Sequence, residues 1–74
     1  MENRIKNVMA AVFNYPNEQI QDDTSSDSID KWDSVGHMNL IVGLEEEFGI
    51  IIEDDEISEM LNFALIKEIL KSKI

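Results

Sequence analysis

The sequence has no cysteine, one histidine, one proline and three glycines among its 74 residues. Without thiols there is no disulfide framework and no thiolate-held metal. A single imidazole does not make a zinc site. Basic residues are scarce as well: six Lys and Arg stand against sixteen Asp and Glu, for a net charge of −10. That balance argues against nucleic acid as a partner, because phosphate would be repelled. It favours proteins with basic docking surfaces, met in fast, salt-sensitive encounters. Long hydrophobic runs are missing too. The longest near the N-terminus, residues 8–13, is too short for a signal h-region or a membrane span. No membrane partner is expected, and the cytoplasm is the expected compartment. A chain of this size buries only ~60% of its unfolded surface. That leaves little room for a deep catalytic cleft, and no nucleophile–base pair is evident, so the chain is read as a non-enzyme.

What is present is a helical pattern. The hydrophobic content is 43% and falls in helical periods, which argues against the disorder that high charge otherwise suggests. Ile5, Val8, Met9 and Val12 recur at i, i+3, i+4 and i+7, so a helix is expected over 2–13, ended by Asn14 and Pro16. Residues 14–33, "NYPNEQIQDDTSSDSIDKWD", form a long polar connection. Loops of this length are usually functional or pinned, and Ile20, Ile29 and Trp32 are its expected anchors. A second helix is expected over 34–48 with Gly49 as its stop. "IIIEDDEISEM" reads as a buried extended link followed by a short helix from Asp54 to Met60. Asn62 is placed to cap a last helix, whose stripe is Phe63, Ile66, Leu70 and Ile74. Lys67, Lys71 and Lys73 suit the C-terminal half of that helix. The expected fold is all-α: one domain over residues 1–74, a small four-helix bundle of three main helices and one short one, with a long first loop.

The second helix is apolar on two sides. At about 100° per residue, Leu40, Ile41, Leu44 and Phe48 share one arc, and His37 falls inside it. Val35, Met38 and Val42 make a second stripe on the opposite side. Ser34 heads that second stripe, and Glu45 and Glu46 lie at its other end. Either the long loop covers this stripe, or it is an exposed apolar patch rimmed by acids, which suits a binding surface. Methionine suits a surface that accepts several partners.

These residues carry a family resemblance. "WDSVGHMNLIVGLEEEFGI" resembles the acyl carrier proteins around their Asp-Ser-Leu attachment motif, with Asp33-Ser34-Val35 in its place. "LEEEFGI" at 44–50 is similar to the end of that family's second helix, and "IEDDEI" to the acidic start of its short third helix. The resemblance extends to length, acidity, the long first loop and the helix order. Lys31-Trp32, Asn39 and Glu53 depart from the fatty-acid-synthesis type, and tryptophan before Asp-Ser is more similar to stand-alone carriers of other pathways. The resemblance implies that Ser34 carries 4′-phosphopantetheine, placed there from coenzyme A by a phosphopantetheinyl transferase using magnesium. The arm's thiol then holds an acyl group as a thioester between the enzymes of fatty acid, polyketide or related biosynthesis. It implies that Asp33 is read by the transferase, and that Val35, Met38, Val42, Glu45 and Glu46 form the recognition face of a monomer. Fatty acyl, polyketide, aminoacyl and sugar-acyl cargoes all remain open.

Plainer readings stand beside these. Asp-Ser before an apolar run is commonly an N-cap pair. His37 is expected to pack at the bundle's end, with a phosphate contact as the lesser alternative. "EEE" at 45–47 is commonly a solvated face. The acids of residues 22–33 match a calcium loop poorly, because its sixth and twelfth positions would be Asp27 and Asp33 where glycine and glutamate are needed. As a different class of function, the chain would be an unmodified acidic helical adaptor docking basic partners. A phosphopantetheine-sized mass on Ser34 separates the two.

Overall fold

The computed structural model describes residues 1–74. Four helices follow in chain order: α1 (Glu2–Phe13), α2 (Ser34–Phe48), α3 (Asp54–Glu59) and α4 (Phe63–Lys73). There is no strand, only an isolated antiparallel bridge between Ser25 and Asn62. The fold is a small all-α bundle. Its helices end where local chemistry dictates. Asn14 closes α1 in the left-handed region at φ 50°, which asparagine tolerates better than most residues. Gly49 closes α2 at φ 64°, where the absence of a Cβ removes the strain. Glu53 and Glu56 form a reciprocal capping box on α3. Asn62 caps α4 by accepting from the Leu65 amide at 2.8 Å.

One apolar core runs through the molecule. Ile5 and Met9 of α1, Leu40 and Leu44 of α2, and Ile66 and Leu70 of α4 lose all contact with solvent. α1 meets α2 at Gly43, where the missing side chain lets Val8 and Val12 approach. At the far end of that packing, Arg4 donates to the Glu47 carboxylate and to the Glu47 carbonyl, both at 2.7 Å. Its guanidinium lies 4.5 Å from the centroid of the Phe48 ring.

The long loop is pinned at the three expected anchors: Ile20, Ile29 and Trp32 are all buried. A 3₁₀ turn at Asn17–Gln19 gives it one short regular piece. Its middle satisfies the start of α4, because the Phe63 amide donates to the Thr24 carbonyl and the Ala64 amide to the Asp22 carbonyl, each at 3.0 Å. Those are two of the orphan donors that every helix start must place somewhere. Lys67 adds a charged clasp, reaching Asp22 at 2.7 Å and Glu2 at 3.4 Å.

Four expectations need correction. The 50–52 link is not buried throughout: Ile52 is inside, Ile50 is half-buried and Ile51 is 75% exposed. A three-residue extended link alternates its side chains, so at most part of it faces the core. Ile74 is exposed, because α4 stops at Lys73 and the stripe has no partner left beyond Leu70. Phe48 is half-buried at the edge of the core, with one face given to Arg4. The short third helix ends at Glu59, and Met60 is its buried C-cap.

Candidate functional site

The start of α2 is built by two neighbours of Ser34. Asp33 is the N-cap: its carboxylate accepts from the Gly36 amide at 2.8 Å, and its carbonyl accepts from the His37 amide at 2.7 Å. Ser34 is therefore the first helical residue, and its side chain is exposed. No protein acceptor takes the Ser34 or Val35 amide, as is normal for the first residues of a helix. Gly36 is buried because the Lys31 carbonyl fills the place of a Cβ there. This close approach folds residues 31–33 back onto the helix and fixes the direction in which Ser34 leaves it.

Trp32 and His37 complete the frame. The Trp32 ring stacks on Phe13, with centroids 5.1 Å apart, and its N–H donates to His37 Nδ1 at 2.8 Å. His37 Nε2 lies 2.8 Å from the Ile57 carbonyl. Beside Ser34 is a cleft of ≈ 280 Å³ between the start of α2 and the α3 side, lined in part by Ser26, His37, Ile57 and Leu61.

The sequence-derived face lies as follows. Val35 is 71% exposed, and Met38 and Val42 about half, so the loop does not cover the second stripe. Leu40, Ile41 and Leu44 on the opposite side are buried. Glu46 is exposed, whereas Glu45 is half-buried and accepts from the Ile52 amide at 2.9 Å. Glu45 thus has an internal task, capping the link into α3, and only part of its charge faces outward. His37 is half-buried with both ring nitrogens engaged. Sequence reasoning missed that engagement and the need for Gly36. A glycine in the first turn of a helix costs about 1 kcal/mol relative to alanine, and that cost was the available signal of a close approach.

Electrostatics away from the site fasten the bundle. The hydrogen bond from Lys67 holds the Asp22 carboxyl below its ordinary pKa, and the same bond raises Lys67. The hydrogen bond from Lys73, followed by that from the Glu53 amide, lowers Glu56. None of the helices is long and apolar enough to cross a membrane.

The model of the phosphopantetheine attachment site family matches residues 3–71, and the chain belongs to that family. Its domains are carriers to which 4′-phosphopantetheine is covalently attached, and they work with phosphopantetheinyl transferases and biosynthetic enzymes. This protein is thus a phosphopantetheine-bearing carrier. Among curated proteins, none matches the chain. The residues present fit such a group: an exposed hydroxyl stands at the N-terminus of a 15-residue helix, beside amides without protein partners, where the helix dipole favours an anion.

Proposed function

We propose that Ser34 is the attachment residue, that residues 1–74 act as one carrier domain, and that the cargo is an acyl group passed between enzymes of fatty acid, polyketide or related biosynthesis. The observation that carries the reading is the exposed Ser34 hydroxyl at the first position of α2, capped by Asp33. Ser34 supplies the oxygen that becomes the phosphodiester oxygen. The Ser34 and Val35 amides and the dipole of α2 stabilise the phosphate beside it. Asp33 keeps the helix start in register while a partner docks. When attached, the arm supplies a thiol on which the acyl cargo is held.

Recognition rests on the outward stripe of α2. Val35, Met38 and Val42 offer an apolar strip that a partner buries, and Asp33, Glu46 and the outward part of Glu45 offer charge to basic side chains. Incubation with a broad-specificity phosphopantetheinyl transferase, coenzyme A and magnesium tests the assignment by intact mass. One phosphopantetheine is expected on the wild type and none on Ser34→Ala. A mass shift that survives in the variant moves the site elsewhere, and no shift on the wild type returns the adaptor reading.

A further inference from the structure

The chain Trp32–His37–Ile57 ties three segments together beside Ser34. The Trp32 indole N–H can only donate, so His37 Nδ1 accepts its bond at 2.8 Å. The ring proton is therefore on Nε2, which donates to the Ile57 carbonyl at 2.8 Å. This assignment follows from the bonding network. Trp32 is fixed in turn by its stack on Phe13.

α3 has few other fastenings. It is six residues long with none of them fully buried. It is held by the half-buried Ile57 side chain, by the Glu56–Lys73 pair at 2.8 Å and by the bond from His37. The strap thus holds α3 to the first turn of α2, along the wall of the cleft. Behind it no hollow stands open: Leu40, Met60, Phe63 and Ile66 are at most 1% exposed, and no cavity is lined by Leu40, Phe63 or Ile66. The cleft itself has a mixed wall, in which the hydroxyls of Ser26 and Ser58 accompany Ile57, Met60 and Leu61. The cleft is open to solvent, so an alkyl chain beside Ser34 is only partly covered there, against Ile57 and Leu61. To enter the core it would have to swing α3 outward, part His37 from Ile57 and strand polar groups, which is costly for groups shielded from water.

We infer that this strap keeps the cargo outside the bundle, so that an alkyl chain on the arm finds no shelter in the core whatever its length. His37 is here a positioning residue. The inference rests on Ser34 as the attachment point. Wild type, His37→Ala and Trp32→Phe are loaded by a permissive transferase from acetyl-, hexanoyl- and dodecanoyl-coenzyme A, and intact mass confirms each load. A wild type that takes no load counts against Ser34, not against the strap. Melting temperature and the backbone amide shifts of Leu40, Met60 and Ile66 are then read on the loaded proteins. The wild type should melt at one temperature whatever the chain length, with those amides unmoved. In the variants, the dodecanoyl form should melt above the acetyl form and shift the core amides, as the chain enters behind a freed α3. Trp32→Phe keeps an aromatic ring to lie on Phe13 and removes the N–H together with part of the buried indole, so it decides the matter if His37→Ala does not fold. A wild type stabilised by the dodecanoyl chain, or variants that behave like the wild type, would overturn the inference.

Discussion

Lys31 and Gly36 meet backbone to backbone: the Lys31 carbonyl occupies the space that a Cβ on residue 36 would need. The entry to α2 therefore depends on an absent methyl group. Gly36→Ala should lose ~1–3 kcal/mol through overpacking, although alanine is the better helix former. Gly43→Ala is the control. Its Cβ would press on a Val8 methyl at 2.9 Å, a side-chain end that can yield, so its loss should be smaller. Urea melts of the two variants give the comparison. Equal losses would mean that the loop before α2 moves aside as readily as Val8 does.

The two faces of α2 should differ sharply under truncation. Leu40→Ala and Leu44→Ala remove fully buried side chains and should each cost ~2–5 kcal/mol. Met38→Ala and Val42→Ala, about half exposed, should cost about 1 kcal/mol or less. The same two variants should slow phosphopantetheinylation, because the strip they shorten is the proposed docking surface. Chemical denaturation and loading rates, measured on the same four proteins, read both effects.

Acid should unfasten the loop through Asp22. Its folded pKa lies below the ordinary 3.8 because Lys67 bonds to it. A depressed carboxyl contributes stability that is present above the unfolded pKa and is lost as pH falls through the folded one. The stability gap between wild type and Asp22→Asn should therefore be constant near neutrality and close below about pH 3.8. Lys67 is raised above its ordinary 10.5, so its contribution is present below that value and fades as pH climbs through the raised one. Melting curves across pH for the wild type and the variant check both limbs. A gap that widens in acid would contradict the pairing.

Salt should act with opposite signs on fold and partner. Sixteen acids on this chain repel one another, and moderate salt screens them, with a Debye length of about 10 Å at 0.1 M. The melting temperature should rise with sodium chloride while the transferase rate at limiting carrier falls. Glu46→Lys should slow loading and leave the fold intact. Glu45→Lys should also destabilise it by ~0.5–1.5 kcal/mol, since the Ile52 amide loses its acceptor. A salt-independent rate, unchanged in Glu46→Lys, would confine recognition to Asp33, Val35 and Met38.

The bounds of α1 and α2 were legible because apolar spacing, Asn14 and Gly49 all point the same way. The anchoring of the loop was legible because Ile20, Ile29 and Trp32 are large apolar groups in polar surroundings. Less could be read where side chains act over distance. The link at 50–52 is a run of three isoleucines, and composition alone does not tell which of them turns outward. Lys67 looked like a helix-end charge, yet it spans to Glu2 and Asp22, partners 65 and 45 residues away. The role of His37 was equally hidden, because periodicity places a ring on a face and leaves its two nitrogens unassigned. Glu45 stands in an acidic run whose members look alike until one of them meets the Ile52 amide.

The amides of Phe63 and Ala64 depend on carbonyls of the loop, and this has a consequence for how the molecule opens. Residues 22–25 supply part of the first turn of α4, so the loop cannot peel away and leave that turn protected. The loop and the start of α4 should form one cooperative unit. Amide hydrogen exchange at Phe63 and Ala64 then reports on a segment some forty residues earlier in the chain. A stretch with almost no regular structure of its own is protected to the degree that a neighbouring helix needs it.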